Sequence, residues 1–207
     1  MNIRPRNRRI GILLSGRGSN FEAIASSIDE GRLNGEIAVV ISNVESAPGL
    51  ERARARGLNA VCIPSKGKPR EFFDAELVDA LRAADVSLVV LAGFMRIFSP
   101  VMLQAFPNLI LNIHPSLLPS FPGVHVQQQA LDYGAKFSGC TVHIVNDVLD
   151  GGPIVLQSVV PVLDADTAET LAARILPHEH RIYSEAINLL LSGRCTLEGR
   201  RVVVSNA

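Results

Sequence analysis

The segment Ile10–Asn20, which reads IGILLSGRGSN, decides the fold because it joins an apolar run to a glycine-rich loop and a helix start. Ile10–Leu14 predicts a short buried strand. The loop Ser15–Asn20 contains two glycines, which let the backbone approach a ligand closely. The helix predicted over Phe21–Glu30, with Asn20 as a candidate cap, would present free N–H groups and the positive end of its dipole. The loop therefore favours a bound phosphate. An empty tight turn is the alternative.

Two common nucleotide-binding patterns do not fit this loop. No lysine follows its glycines, as a Walker A loop requires. The glycines also lack the G-x-G-x-x-G spacing of dinucleotide-binding folds. The sequence therefore disfavours a dinucleotide at this position.

Apolar runs and amphipathic stretches alternate after this segment. Strands are predicted at Ile10–Leu14, Glu36–Ser42, Ala60–Ile63 and Leu88–Ala92, and helices at Phe21–Glu30, Gly49–Arg56 and Arg70–Ala84. Such an alternation is typical of a doubly wound, mostly parallel Rossmann-like sheet, which is the α/β fold class that we expect. The later segments predict strands at Leu109–Ile113, Gly139–Val145 and Ile154–Val162, a long helix at Thr167–Leu191 and a hairpin at Cys195–Val204. We expect a single domain over residues 1–207, with residues 1–8 as a flexible basic tail.

Composition narrows the classes of function. The chain has 207 residues and a formal net charge of zero, which argues against a broad surface for nucleic acid or an anionic membrane. No apolar stretch approaches the roughly 18 residues that a membrane span needs. The three cysteines, Cys62, Cys140 and Cys195, are far apart and form no C-x-x-C pair. We therefore expect reduced thiols in a cytoplasmic protein and no zinc site.

Polar residues at the end of a predicted strand are the first candidates for chemistry, because ligands of open α/β sheets bind beyond the carboxyl ends of the strands. Asn112 and His114 lie two residues apart and so point to the same side of an extended chain. An amide and an imidazole in this arrangement suit a developing oxyanion, and the imidazole could also move a proton near neutral pH. The alternative is that both side chains only satisfy backbone groups at a strand end.

Three further residues have weaker signals. Asp150 precedes two glycines and could be a simple turn residue, but facing His114 it would favour the charged imidazolium. His143, on a predicted strand, is more typical of a packed core residue than of a catalyst. Arg70 starts a helix, where a cation opposes the helix dipole, and this mismatch hints at an acidic ligand.

The run Asn112–Pro119, NIHPSLLP, together with Asp150-Gly151-Gly152-Pro153, resembles the signature of the formyltransferases that use 10-formyltetrahydrofolate. The loop Ser15–Asn20, the segment Ala92–Ile97 and the length of the chain are similar to one group in that family, the phosphoribosylglycinamide formyltransferases. The resemblance extends from about Arg9 to Leu191. It implies the formyltransferase type of α/β fold, an enzyme of purine synthesis, 10-formyltetrahydrofolate as co-substrate and no metal.

The resemblance also implies roles for individual residues. Gly18, Ser19 and Asn20 would hold the substrate's phosphate, and Glu179 its ribose hydroxyls. The folate would contact Arg70, Met95, Arg96, Ile97, Phe98, Asn112, Asn146, Asp147, Val148, Leu149 and Asp150. Asn112, His114 and Asp150 would be the catalytic set, with the amine of phosphoribosylglycinamide attacking the formyl carbon directly. The chain departs from some members at Leu176-Pro177-His178, so no contact is carried over to these three positions.

Three other functions remain open from the sequence. A formyltetrahydrofolate hydrolase would share the catalytic set, although that family resembles this one with an added N-terminal regulatory domain. A methionyl-tRNA formyltransferase would add a C-terminal domain and a basic surface. A phosphate-binding module without catalysis would keep the glycine-rich loop but would not need the three catalytic candidates close together. The expected partners are small molecules, with no nucleic acid and no membrane, and the protein would be a monomer or a homodimer.

Overall fold

The computed structural model describes residues 1–205 and is built around a mixed sheet of ten strands. The strands are β1 (Asn2–Ile3), β2 (Arg9–Leu14), β3 (Glu36–Ser42), β4 (Ala60–Cys62), β5 (Leu88–Leu91), β6 (Ile110–His114), β7 (Phe137–Ile144), β8 (Ile154–Pro161), β9 (Cys195–Glu198) and β10 (Arg201–Val204). The helices are α1 (Ser19–Asp29), α2 (Pro48–Ala55), α3 (Arg70–Ala83), α4 (Pro100–Ala105), α5 (Val126–Tyr133) and α6 (Ala168–Leu191). The strand order across the sheet is β1-β9-β10-β8-β7-β6-β5-β2-β3-β4.

The strands β6-β5-β2-β3-β4 form the parallel part of the sheet. Successive residues of a strand point to opposite faces, so each strand contributes to two apolar layers. In β5, Leu88 and Val90 belong to the layer shared with α1, α2, α5 and α6, while Val89 and Leu91 belong to the layer shared with α3 and α4. Helices therefore cover both faces, which confirms the predicted doubly wound α/β fold.

The strands β7 and β8 form the antiparallel part, which begins at β6. Its register is decisive for the site, because Asn112 lies opposite His143 and His114 lies opposite Thr141. Beyond β8 the hairpin β9–β10 extends the sheet, with β10 parallel to β8. The predicted hairpin at Cys195–Val204 is thus confirmed.

Residues 1–8, predicted to be a flexible basic tail, are instead part of the fold. The strand β1 pairs antiparallel with β9, and the side chain of Ile3 is buried. Arg6 forms an ion pair with Asp85 at 2.7 Å, and the Asn7 amide donates to the Asp85 carbonyl oxygen at 3.0 Å. The tail prediction was wrong because these partners lie far away in the sequence and cannot be recognised from the local composition.

Several elements differ from the sequence prediction. Helices α4 and α5 were not predicted, and α1 begins at Ser19 rather than Phe21. The N-cap of α1 is Gly18, so Asn20 lies in the first turn and does not cap the helix. The amide of Asn20 is thereby free for another contact, described below.

The long helix α6 is fixed over the sheet by a buried tyrosine. Thr167 caps the helix and forms a capping box with Thr170. Further along, the Tyr183 hydroxyl lies 2.8 Å from the carbonyl oxygen of Leu91 and 3.0 Å from that of Leu111. These carbonyls are near the carboxyl ends of β5 and β6, so Glu179, one turn before Tyr183, is held near the same edge of the sheet. No helix within residues 1–205 has both the length and the apolar character to cross a membrane.

Candidate active site

The carboxyl ends of β6, β5 and β2 form the floor of the candidate site. Asn112 in β6 lies beside Leu91 in β5, and Leu91 lies beside Leu13 in β2. The glycine-rich loop begins two residues after Leu13. Because β6 and β2 are two strand spacings apart, the loop starts about 10 Å from the chain at Asn112.

Asn112 is held by a histidine on the neighbouring strand. Its amide nitrogen Nδ2 lies 3.1 Å from Nε2 of His143. The other ring nitrogen of His143, Nδ1, lies 3.2 Å from the carbonyl oxygen of Ile144 and can donate to it. With its proton on Nδ1, His143 accepts one N–H of Asn112 and leaves the second N–H of that amide for another acceptor. The sequence favoured a core position for His143; the residue is buried, but it contacts the catalytic candidates.

His114 is oriented by contacts at both ring nitrogens. Nε2 lies 2.9 Å from the carbonyl oxygen of Phe121, which can only accept, so this nitrogen carries a proton. Nδ1 lies 3.5 Å from Oδ2 of Asp150, and both side chains are almost fully buried. If Nδ1 carries no proton, it faces Oδ2 of Asp150 as one acceptor beside another. A second proton on the ring, at Nδ1, would turn this contact into an ion pair. Asp150 is thus placed to stabilise an imidazolium at His114.

Asp150 connects the two histidines. Its Oδ1 lies 3.7 Å from Nε2 of His143, and its Oδ2 accepts the Gly123 N–H at 2.8 Å. Burial alone would raise the pKa of Asp150, but the Gly123 N–H and the positive charge of either neighbouring histidine, His143 or His114, when it is protonated, outweigh it and lower the pKa below its ordinary value. Asp150 has φ 50°, a left-handed conformation that is unfavourable for a residue other than glycine. Backbone strain of this kind is often found at functional sites.

The proline-containing segment after His114 is fixed by a threonine of β7. The Thr141 hydroxyl donates to the Ser116 carbonyl oxygen at 2.7 Å and accepts the Leu118 N–H at 3.0 Å. The Ser116 hydroxyl in turn donates to the Ser120 carbonyl oxygen at 2.6 Å. These bonds hold the Phe121 carbonyl in place as the partner of His114.

The glycine-rich loop is shaped by a close contact between two glycines. Gly18 has φ 75°, and a Cβ at this position would lie 2.8 Å from Cα of Gly49. Any larger residue at position 18 would therefore strain the backbone and push α2 away. The loop leads directly into α1, whose first N–H groups have no partner within the helix.

Asn20 and Glu179 join the glycine-rich loop to α6. The Asn20 amide donates to Oε2 of Glu179 at 2.8 Å. Burial raises the pKa of Glu179, and this hydrogen bond opposes the rise only in part. Two residues that the resemblance assigns to the same ligand are therefore adjacent in space, although 159 positions separate them in sequence.

The segment Met95–Phe98 has largely exposed side chains, except for Phe98 at its end. Met95 and Ile97 are 72% and 56% exposed, while Phe98 is buried and stacks on Phe94. Phe98 can thus reach a ligand through its backbone only. Phe94 also stacks on Phe73 of α3, and the Arg96 guanidinium lies 5.5 Å from the centre of the Phe73 ring. These contacts place the segment beside the start of α3, where Arg70 is exposed.

The loop Asn146–Asp150 presents exposed apolar side chains next to the buried cluster. The Asn146 side chain accepts the Val148 N–H at 3.1 Å, which bends the loop. Val148 and Leu149 are then largely exposed, while Asp150 turns inward. Within residues 1–205, no group of three or more His, Cys, Asp or Glu side chains is arranged to hold a metal ion.

Known proteins resemble this chain over most of its length. The family described as "Formyl transferase" matches residues 8–187. Phosphoribosylglycinamide formyltransferase of Escherichia coli is 43% identical over 186 residues, which are 89% of this chain and 88% of that protein. The crystal structure of glycinamide ribonucleotide transformylase 1 from Symbiobacterium toebii is 54% identical, with a TM-score of 0.94 over 97% of this chain and 95% of that one.

Two other relatives are similar over only part of their own length. The "Trifunctional purine biosynthetic protein adenosine-3" of Drosophila pseudoobscura pseudoobscura is 45% identical over 90% of this chain, but the chain spans only 14% of its length. A formyltetrahydrofolate deformylase from Pseudomonas syringae has a TM-score of 0.90 at 27% identity, over 97% of this chain and 67% of that one. Full-length similarity at higher identity thus lies with the transferases. The chain belongs to the formyl transferase family, within its group of phosphoribosylglycinamide formyltransferases.

Proposed function

We propose that this protein transfers the formyl group of 10-formyltetrahydrofolate to the amine of 5-phosphoribosylglycinamide, a reaction of de novo purine synthesis. The observation that supports this most directly is the convergence of Asn112, His114 and Asp150 at one buried point. That point lies two strands from a loop suited to a phosphate. A protein that only bound a phosphate would have no use for this cluster.

The ribotide would lie between the glycine-rich loop and α6. Its phosphate would accept N–H groups from Gly18, Ser19 and Asn20, because a helix start favours an anion. Its ribose hydroxyls would donate to Glu179, which the Asn20 amide holds beside the loop. The amine of the ribotide would then extend toward Asn112, two strands away.

The folate would occupy the other side of the cluster. Arg70 would bind the glutamate tail, and the segment Met95–Phe98 would contact the folate through exposed side chains and backbone groups. The loop Asn146–Asp150 would enclose the pterin, since Val148 and Leu149 offer apolar surface there. The N10-formyl group would thereby lie next to Asn112 and His114.

In the proposed mechanism the amine attacks the formyl carbon directly, and the carbonyl oxygen becomes an oxyanion. The second N–H of Asn112 donates to that oxyanion, and the charge of His114 stabilises it. Removing one such donor typically lowers the rate by roughly 10²–10³. The nitrogen–formyl bond of the folate then breaks. The proton lost by the attacking amine is taken up by the leaving folate nitrogen, with Asp150, His114 or a bound water as carrier.

A hydrolase is the second candidate, because the deformylase fold is so similar. In that reaction water, rather than the ribotide amine, would attack the formyl carbon. The experiment incubates the protein with 10-formyltetrahydrofolate, with and without phosphoribosylglycinamide, and follows release of tetrahydrofolate. We expect release only when the amine is present and formylated ribotide as the product. Release of free formate without the amine would instead establish the hydrolase.

The proposal also covers the partners, the location and the oligomeric state of the enzyme. We propose small-molecule substrates, no nucleic acid or membrane partner, a cytoplasmic location and a monomer or homodimer. Zero formal net charge and three cysteines without disulfide partners support this view. Size-exclusion chromatography with light scattering would distinguish monomer from dimer.

A further inference from the structure

A buried carboxylate lies at the end of the Met95–Phe98 segment, outside the cluster described above. Asp74 of α3 is 1% exposed. Its Oδ2 accepts the Ser99 N–H at 2.6 Å and the Ser99 hydroxyl at 2.7 Å. Ser99 directly follows the segment and is the N-cap of α4. The carboxylate thus binds the end of the segment to α3, one helical turn after Arg70.

Stability alone does not explain this carboxylate. Its second oxygen, Oδ1, is buried without a hydrogen-bond partner among residues 1–205. A buried carboxylate with an unsatisfied oxygen is destabilising compared with an apolar residue of similar size. The two short bonds to Ser99 are the strong, charge-assisted kind, which also fix direction. Asp74 therefore fixes the position of Ser99, although burial opposes its charge.

A serine holds the other end of the same segment. The Ser15 hydroxyl accepts the Met95 N–H at 2.9 Å and donates to the Asn43 side-chain oxygen at 2.6 Å. The Asn43 amide then donates to the Ser65 hydroxyl at 3.1 Å. This chain of hydrogen bonds crosses the carboxyl ends of β5, β2, β3 and β4 in their order in the sheet. It links the segment to the glycine-rich loop and to the approach to Arg70.

We propose that Asp74 and Ser15 are positioning residues that fix the Met95–Phe98 segment at its two ends and so form a rigid wall for the folate. This inference rests on the proposed function. Neither residue needs to touch a ligand. Rigid support lowers the loss of freedom on binding, and a small misplacement of a positioning group can be costly for an enzyme. Met95 and Ile97 stay exposed for a ligand because their neighbours are held on both sides.

The test measures KM for both substrates, together with direct binding of a non-reactive 10-formyl folate analogue by calorimetry. Asp74→Ala should raise KM and Kd for the folate about tenfold or more, because a small misplacement of a positioned group can cost that much. KM for the ribotide should change less than about twofold.

Asp74→Asn keeps an oxygen acceptor of the same shape without the charge, and should raise KM for the folate only about threefold. Ser15→Ala removes the acceptor of the Met95 N–H and should raise KM for the folate about three- to tenfold.

Two control variants remove similar bonds elsewhere. Ser87→Ala deletes a hydroxyl bond of 2.7 Å to the Asn7 carbonyl oxygen at the other end of β5. Asp166→Asn alters a carboxylate that accepts the Leu163 N–H and the Thr170 hydroxyl before α6. Both should leave the two KM values unchanged, whatever they do to the melting temperature.

The outcomes test the positioning role and the proposed function separately. Equal changes in both KM values, or no change in folate affinity for Asp74→Asn and Ser15→Ala, would overturn the positioning role. If Asp74→Ala does not fold, Asp74→Asn and Ser99→Ala carry the same test. A wild-type protein that neither binds the analogue nor transfers formyl groups refutes the proposed function itself, which is a distinct result.

Discussion

The two parts of the sheet meet at β6 and present different kinds of groups at their edge. In the parallel part, the strand ends lead into loops that offer backbone N–H groups, glycines and exposed apolar side chains. In the antiparallel part, Asn112, His114, His143 and Asp150 are largely buried and contact one another. Backbone groups suit binding because their direction is set by the fold. Buried polar side chains suit chemistry because their charges act in a medium of low dielectric.

The largest effect should come from Asp150, which belongs to the antiparallel part. Asp150→Asn keeps the shape but removes the charge that faces His114, so kcat should fall by roughly 10²–10⁴, the range of general acid–base effects. KM for the ribotide should change little, because the ribotide would bind to the parallel part. Steady-state kinetics with both substrates measures kcat and KM separately. Unchanged turnover would remove Asp150 from the mechanism.

The pH dependence follows from the lowered pKa of Asp150. Its carboxylate remains ionised at any pH above that lowered value, so its protonation does not limit activity near neutral pH. Any acidic limb of the wild-type profile near neutrality must therefore come from another group. His114→Ala serves as a companion variant, since it should cause a similar loss of kcat through the same step.

His143 provides the second test, and it concerns a residue that the sequence did not favour. His143→Ala would release Asn112 from its 3.1 Å contact and let the oxyanion donor rotate. We expect kcat to fall by up to about 10²-fold, since a misplaced group can cost that much, with smaller changes in KM. His143→Gln should recover part of the loss, because its amide can still accept from Asn112. Equal activity of both variants and wild type would make His143 a core residue only.

The difference between the two parts also explains what the sequence could predict. The alternation of apolar runs and helices revealed the parallel part, with strand limits close to the observed ones. His143 was missed because its role depends on the register between β6 and β7, which places it opposite Asn112. Helix α4 has six residues, too few for a clear periodic pattern. The roles of Asp74 and Ser15 depend on partners 25 and 80 positions away, and no local signal marks them.

The third test concerns the glycine-rich loop of the parallel part. Gly18→Ala would force a side chain into a left-handed conformation and against Gly49. We expect KM for the ribotide to rise about tenfold, with kcat reduced less, and stability to fall by about 1–3 kcal/mol. Gly31→Ala is a matched control, because Gly31 has φ 71° but nothing within 4 Å of an added Cβ. A similar rise in KM for both variants would show that backbone strain alone, and not the close approach, is responsible.

The smallest effect should come from Glu179, a side chain of α6 that lies beside the glycine-rich loop of the parallel part. Burial raises the pKa of this carboxyl, so it takes up a proton as pH falls through a value above the ordinary one for glutamate. The protonated form is a weaker acceptor for ribose hydroxyls. KM for the ribotide should therefore rise about three- to tenfold toward acidic pH, the difference between charged and neutral hydrogen bonds, while kcat stays constant.

Glu179→Gln isolates this effect from titration of the ribotide's own phosphate. The variant should have a higher KM at neutral pH and should lose the acidic rise that belongs to the carboxyl, while any rise due to the phosphate persists in both proteins. The ratio of KM between variant and wild type should thus approach one as pH falls. A ratio that stays constant with pH would mean that Glu179 does not change its protonation in the working range, and its contact with Asn20 would then hold a permanently ionised carboxylate beside the loop.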